Sequence, residues 1–231
     1  MGILGGIISG VCSFVSGVAG KLSGIIGGAI SGFAEKAVKV IAQIPNIDFG
    51  KIIPIVGDII QGVAKILGIK TEEDPAILGA KVQQCDKDLE DFDNDVDSYI
   101  QYLREEVKLD KEKFDKMTEE EKLGCKVVGM SLETKAIEEK IGDIEISPEC
   151  LAMLAKINNE GIRIEAKELV GIINVLKSEG ITNLNDVVEF FEGKGESDRI
   201  KTGDALEKAL GEGATDKIYE VQDAVRKYEE N

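Results

Sequence analysis

Histidine and tryptophan are absent from this 231-residue chain, proline occurs only four times, and aromatic residues make up 5%. Without histidine, the common catalytic triads lose their base and zinc sites lose their usual nitrogen ligand. The four cysteines, Cys12, Cys85, Cys125 and Cys150, lie far apart with no Cys-x-x-Cys pair. A reduced, structural role is expected for them, with a disulfide as the alternative. No Gly-x-Ser-x-Gly elbow occurs, and Gly20-Lys21 lacks both the spaced leading glycine and the following Ser or Thr of a phosphate loop. Enzymatic activity, a cofactor and a catalytic or bound metal are therefore not expected, a Glu-based hydrolase being the residual alternative among so many carboxylates. Basic clusters are missing too: 28 Lys and Arg stand against 44 Asp and Glu, a net charge of −16 that argues against nucleic acid as a partner.

That charge is unevenly divided. Residues 1–70 hold six lysines (21, 36, 39, 51, 65 and 70) against Glu35, Asp48 and Asp58, a net of +3 that leaves −19 on residues 71–231. The sequence thus predicts two parts: an apolar, weakly cationic arm over 1–70 and an acidic soluble helical domain over 71–231. The arm lacks the positively charged leading region of a secretory signal and stays apolar past a normal cleavage site, so it is expected to be retained. Met1-Gly2 does not make a myristoylation signal, because Gly6 stands where Ser or Thr is required.

Between Gly2 and Ala34 the only charged side chain is Lys21, and ten of the 26 glycines fall there. Each interior glycine costs a helix about 1 kcal/mol relative to alanine, so propensity alone does not hold this segment. Gly20, Gly24, Gly28 and Gly32 recur at four-residue steps, and Ser16 extends the row backward. Gly2, Gly6 and Gly10 form a second row, and Gly5, Ser9, Ser13 and Gly17 a third. Residues four apart stack on one helix face, so the rows predict a flat groove where another helix approaches backbone to backbone. Ile7, Ile8, Val11, Val15, Val18, Leu22, Ile25, Ile26 and Ile30 occupy the other faces, which predicts a helix apolar all round, in a membrane or in a deeply buried core. About 32 helical residues rise about 48 Å, more than the ~30 Å hydrocarbon layer.

Pro45-Asn46 breaks this helix. From about Ile52 to Gly68, Ile52, Ile53, Val56, Ile59, Ile60, Val63, Ile66 and Leu67 share a broad face, and Lys51, Asp58, Gln61 and Lys65 fall mainly opposite. The pattern predicts an amphipathic membrane-interface helix or the second arm of a hairpin. A boundary follows at Thr71-Glu72-Glu73-Asp74-Pro75. Beyond it, Val82, Cys85, Leu89, Phe92, Val96, Tyr99, Leu103 and Val107 alternate three and four apart, the seam of one long helix. Asp86, Asp88, Asp91, Asp93, Asp95 and Asp97 lack the mid-loop glycine and closing glutamate of an EF-hand and read as a solvated acidic face of that helix.

Thr118 and Glu121 form a capping box for a helix reaching about Ile141, and Ser147-Pro148 opens the next. Further helices are expected over 164–178, ended by Gly180, over 184–192, ended by Gly193, near 203–210 and over 215–229, with a loop at 193–197. The longest strand-like alternation is Ile144-Glu145-Ile146. The fold class predicted is all-α: a glycine-zipper helical hairpin followed by an acidic helical bundle.

Residues 2–32 resemble the glycine-zipper segments of membrane-active bacterial toxins and two-component bacteriocins. The likeness covers about a seventh of the chain and is one of motif; those bacteriocins are short peptides without an acidic body. It implies helices that associate inside a target bilayer. Tyr219 and Asp223 are similar in spacing to the Tyr-x-x-x-Asp signal of type VII secretion substrates, without its Trp-x-Gly turn; a packing tyrosine is the alternative.

The expected function is membrane permeabilisation by a protein that is soluble before insertion, secreted or delivered to a membrane, and homo-oligomeric through Gly2, Gly6, Gly10, Ser16, Gly20, Gly24, Gly28 and Gly32. Membrane lipid and further copies of the chain are the partners implied, with a secretion system or an immunity or chaperone protein beside them. Two alternatives use the same glycines: a tube, filament or phage-like assembly, and a resident membrane-anchored scaffold. A third reading keeps them inside a soluble protein, as the close-approach face of a buried hairpin.

Overall fold

The computed structural model describes residues 3–72, 74–194 and 199–228. Among these residues there are eleven α-helices, one 3-10 turn and no strand, an all-α fold. The expected residues Gly2, Glu73, 195–197 and Glu229 lie outside the described ones.

The helix α6 (Glu119–Ile141) sits at the centre, and the chain shows why it forms. Thr118 accepts from the Glu121 amide at 3.2 Å while the Glu121 carboxylate accepts from the Thr118 amide at 2.8 Å, so the capping box is closed. Gly142, at φ +67, ends the helix. From Gly124 to Thr134 all but Lys126 are buried, so α6 is covered on every side. Its buried hydroxyls turn inward onto its own backbone, Ser131 to the Val127 carbonyl and Thr134 to the Met130 carbonyl, each at 2.7 Å.

The elements α1 (Ile3–Ala42), α2 (Phe49–Ile66), α3 (Pro75–Gln84) and α4 (Val96–Glu105) pack around it. Asp48 and Asp74 cap α2 and α3, and Pro75 occupies the first turn of α3. The closest approach is between α3 and α6. A methyl group added to Gly79 would overlap the Cys125 carbonyl oxygen, and one added to Gly129 would overlap the Pro75 carbonyl oxygen. Gly124 leaves the notch filled by the Phe14 ring of α1. Backbone-to-backbone packing therefore occurs at Gly79 and Gly129, which belong to none of the four-residue rows.

The remaining helices, α7 (Pro148–Asn159), α8 (Ala166–Ser178), α9 (Asn185–Glu192), α10 (Arg199–Leu210) and α11 (Ala214–Arg226), complete the body, with the short α5 (Lys111–Lys116) before α6. The turns expected at Gly180 and Gly193 are present, both at positive φ. Ile144-Glu145-Ile146 supplies an isolated parallel bridge, Glu145 to Asn183.

The long helix expected over 82–107 is instead three pieces: the end of α3, the 3-10 turn Leu89–Phe92, and α4. The aspartates break it. Asp88 caps the 3-10 turn in a capping box with Asp91, Asp93 takes a left-handed conformation at φ +55, and Asp95 accepts from the Ser98 amide at 2.9 Å to start α4. Short polar side chains compete for backbone amides and favour caps over helix interiors. The run is a series of turn and cap residues rather than an acidic helix face. The expected division at Thr71–Pro75 follows the charge but not the packing: Leu22 and Ile26 of α1 and Ile53 and Val63 of α2 share one continuous core with Leu132, Leu151, Val187 and Val225.

Substitutions of glycine should separate the two kinds. Gly129→Ala should cost at least about 2 kcal/mol of unfolding free energy through overlap with backbone that cannot rotate away. Gly24→Ala, with open space at its Cβ, should gain about 0.5 to 1 kcal/mol. Urea denaturation of the two variants measures this; equal effects would show that the α3 to α6 approach is not a fixed contact.

Candidate functional site: the outward face of α1

The side chains of α1 sort by size. Val11, Val15, Leu22, Ile26, Ile30, Phe33, Val38 and Ile41 are buried in the common core, where α1 packs chiefly on α6 and α7. Gly6, Ser9, Ser13, Ser16, Gly17, Gly20, Ser23, Gly24, Gly28, Ala29 and Gly32 are exposed. The helix expected to be apolar all round thus carries its large residues inward and its small ones outward.

Of the glycines expected to make helix contacts, Gly6, Gly20, Gly24 and Gly32 have nothing within 4 Å of where a Cβ would stand, and Gly28 has only Ser23 Oγ of its own helix at 3.5 Å. Gly10 is the exception: half-buried, its added Cβ would meet Glu120 Cγ at 2.6 Å. Among the described residues no other helix uses the row Gly20–Gly32, so the reading of a buried hairpin that needs close approach does not describe it. The row is also divided. Gly27 adopts φ +76, ψ 153, which breaks the helix axis between Gly24 and Gly28 and which a side chain larger than hydrogen disfavours. Lys21, the one charge beside the row, donates to the Gln83 carbonyl at 2.8 Å and ties α1 to the end of α3. Lower down, Lys36 pairs with Glu149 of α7 at 2.8 Å.

The α2 face expected at a membrane interface is occupied by the body. Ile52, Ile53, Val56, Ile60 and Val63 are buried, Ile59 and Leu67 are half-buried, and Ile66 alone is exposed, at 50%. In this state α2 is a core helix packed on α6, α7 and α8. Tyr219 and Asp223 lie one turn apart on α11 and both are exposed, Tyr219 at 60%, so Tyr219 is not the packing residue that the alternative required.

The four cysteines are free thiols. Burial pushes Cys125 up to about 12 and Cys150 up to about 11, which keeps both protonated and poorly nucleophilic at neutral pH. Among the described residues no group of three or more His, Cys, Asp and Glu is placed to hold a metal ion.

One buried acid stands out under the arm. Glu133 of α6 is fully buried and neither carboxylate oxygen has a hydrogen-bond partner. Gln61 of α2 and Thr71 face it, but both direct their hydrogens to the Glu72 carbonyl, at 2.7 and 3.1 Å, and Gln61 Oε1 accepts from Lys65 at 2.9 Å. Loss of hydration raises Glu133 to about 8, opposed by Gln61, Thr71 and the Lys65 charge and reinforced by Asp74. Composition gives no sign of this residue; only its place in the middle of an otherwise apolar buried turn of α6 marks it.

No family model, curated protein or solved structure matches the chain.

Because Glu133 is protonated in the fold at pH values where an unfolded carboxyl, near pH 4.3, has lost its proton, the native state binds more protons than the unfolded state across that interval. Stability from this residue is therefore greatest below about pH 4.3 and falls as pH rises towards about 8. Glu133→Gln should remove the dependence and be more stable than the parent at pH 8, by an amount on the order of a few kcal/mol, with the gap closing towards pH 5. Urea denaturation at pH 5, 6.5 and 8 tests it. Parallel profiles for the two proteins would mean that Glu133 is already ionised in the fold.

Proposed function

We propose that the chain is a self-associating, membrane-active protein whose α1 helices contact one another through the small-residue face, with Gly20, Gly24, Gly28 and Gly32 at the contact, to permeabilise a bilayer. The observation that carries this reading is the set of helical glycines that contact nothing. Gly6, Gly17, Gly20, Gly24 and Gly32 are exposed with open space above them, and together they cost α1 about 5 kcal/mol relative to alanine. That is comparable with the whole stability of a small domain, about 5 to 15 kcal/mol. No contact among the described residues returns it. Contact with another helix at short range does, because small residues let backbones approach and pack where water is absent.

Length and composition support the membrane part. From Gly6 to Ala42, α1 is long and apolar enough to cross a bilayer. Its outward face carries no charge from Gly6 to Ala34 other than Lys21. The acidic body supplies the charge that keeps such a chain dispersed before it meets lipid.

Soluble assembly through the same face is favoured by a separate observation: the large apolar residues of α1 are already buried in the body, so copies can meet through their glycines without lipid.

Gly24→Ile is a clean probe, since nothing in the fold lies near that position. Purified protein should release dye from anionic liposomes, and the variant should lose that release at least tenfold while its unfolding midpoint holds or rises. Assembly seen in negative stain without lipid, lost in the variant, would favour the soluble reading instead. A monomer in both settings would remove the proposal.

A further inference from the structure

The chain between α2 and α3 is tied to both helices at one residue. The Glu72 carbonyl accepts from Gln61 Nε2 of α2 at 2.7 Å and from Thr71 Oγ1 at 3.1 Å. The Glu72 carboxylate is paired with Lys81 of α3, whose ammonium also donates to the Arg104 carbonyl at 3.1 Å. The backbone of Glu72 thus belongs to α2 and its side chain to α3. Gln61, Thr71 and Lys81 are all buried.

Glu133 of α6 lies against the same two donors. It is fully buried, neither oxygen has a hydrogen-bond partner among the described residues, and Gln61 and Thr71 are the side chains within reach of it. Of the charges on α1, α2, α3 and α4, the helices packed on α6, and on the chain between them, Lys65 of α2 and Asp74 ahead of α3 act on this carboxyl. The others are engaged elsewhere. Lys81 holds Glu72, and Lys51 of α2 holds Asp48. On α6 itself Lys126 holds Asp58 and Asp74, at 3.9 and 3.2 Å, and Lys135 holds Glu138. On α1, Lys21 donates to the Gln83 carbonyl, Lys36 pairs with Glu149 and Lys39 with Glu35. On α4, Asp97 pairs with Lys140, and Arg104 and Glu105 are exposed.

Thr71 has one hydroxyl hydrogen, so it serves either the Glu72 carbonyl or Glu133. The Gln61 amide, as it is oriented, serves Glu72 and leaves Glu133 without a bond. A neutral carboxyl tolerates this arrangement. A carboxylate does not: an unpartnered buried charge is far more costly than an unpartnered neutral group, and hydrogen bonds to an ionised acceptor are about twice as strong as those to a carbonyl. Loss of the proton therefore turns both donors onto Glu133. The Glu72 carbonyl then finds a donor only in water, so residues 69–72 move off α2 while the Glu72 side chain stays on Lys81.

We propose that Glu133 works a two-position switch at the seam of α2 and α6: with its proton, Gln61 and Thr71 fasten the connection to α2; without it, both donors turn to the carboxylate and the connection is released. Acid closes the seam and alkali opens it. Because the opening hands one proton to solvent, it becomes up to about tenfold more favourable per pH unit. The device stands on the contacts of α2, α3 and α6, whether or not the α1 face drives association.

Carbon-13 and nitrogen-15 NMR of the full-length protein between pH 5 and pH 9 tests this, with Glu133→Gln as the comparator and Glu133→Met in its place if that variant fails to fold. In the parent, the Gln61 side-chain amide resonances should move in one titration whose midpoint matches that of the Glu133 carboxyl. Exchange of the Ile69 amide, which donates to the Ala64 carbonyl at 3.0 Å, should quicken at least about tenfold from pH 6 to pH 8 after correction for base catalysis. It should do so with little dependence on added urea, the mark of a local opening. In the variant both responses should be absent. Three results would overturn the switch: Gln61 resonances indifferent to pH, an Ile69 response that persists without Glu133, or Ile69 exchange as sensitive to urea as global unfolding.

Discussion

The structure depends on one helix that has no free side. α6 is buried on every side through its middle, from Gly124 to Ile137 with Lys126 and Lys135 excepted, and α1, α2, α3 and α4 lie on it. What allows so many neighbours around one axis is the loss of side chains where backbones meet: Gly79 and Gly129 bring α3 against α6, and Gly124 admits Phe14. A helix surrounded in this way can tolerate few polar groups. Ser131 and Thr134 satisfy themselves on their own backbone, whereas Glu133 has no such route and is held neutral by its surroundings. The same packing that makes α6 the centre of the fold thus makes its stability sensitive to pH.

Glycine has two opposite uses in this chain. In α3 and α6 it removes a Cβ that would collide with backbone, and the helix propensity it sacrifices is offset by packing within the molecule. In α1 it sits on the face pointing away from everything, where the sacrifice has no intramolecular return. Alanine at such positions would stabilise an exposed helix, so stability alone does not account for the four-residue row. On the reading proposed above, the return for the second group lies outside the single chain. That is a physical reason, independent of any resemblance, to read the α1 face as a surface for another helix.

Much of the secondary structure was legible from local chemistry. Thr118 with Glu121, Ser147-Pro148, Gly180 and Gly193 each marked an end that is present, because caps are decided by residues within one turn of each other. The aspartate run misled for the same reason: each of Asp88, Asp93 and Asp95 acts on its own turn, and three local breaks outweigh a heptad pattern that persists through them. The rows of small residues in α1 were legible as rows, but not the direction they face, since burial by size leaves no polar signature to orient the helix. Gly79 and Gly129 were hidden because neither belongs to a four-residue row: α3 has one glycine, and the two of α6, Gly124 and Gly129, are not four apart. Their signal was a glycine kept inside a well-capped helix where no turn occurs. The isolation of Glu133 is a product of tertiary packing, and no local pattern announces it.

The geometry also constrains how α1 can act. Its inward residues, among them Leu22, Ile26, Ile30 and Phe33, are each worth about 1.5 to 3 kcal/mol when buried, so lifting the helix into water would cost more than the fold can supply. Lipid changes that balance for α1, because a hydrocarbon interior receives those side chains as readily as the protein core does. It does nothing for α6, whose uncovered face would include the notch at Gly124 that Phe14 fills. A release of α1 is therefore favourable only if α6 is covered again in the same event, by lipid, by a rearranged α2 or by another copy of the chain. The arm and the body are one cooperative unit, and membrane action on this reading is a repacking around α6 rather than the detachment of an independent anchor.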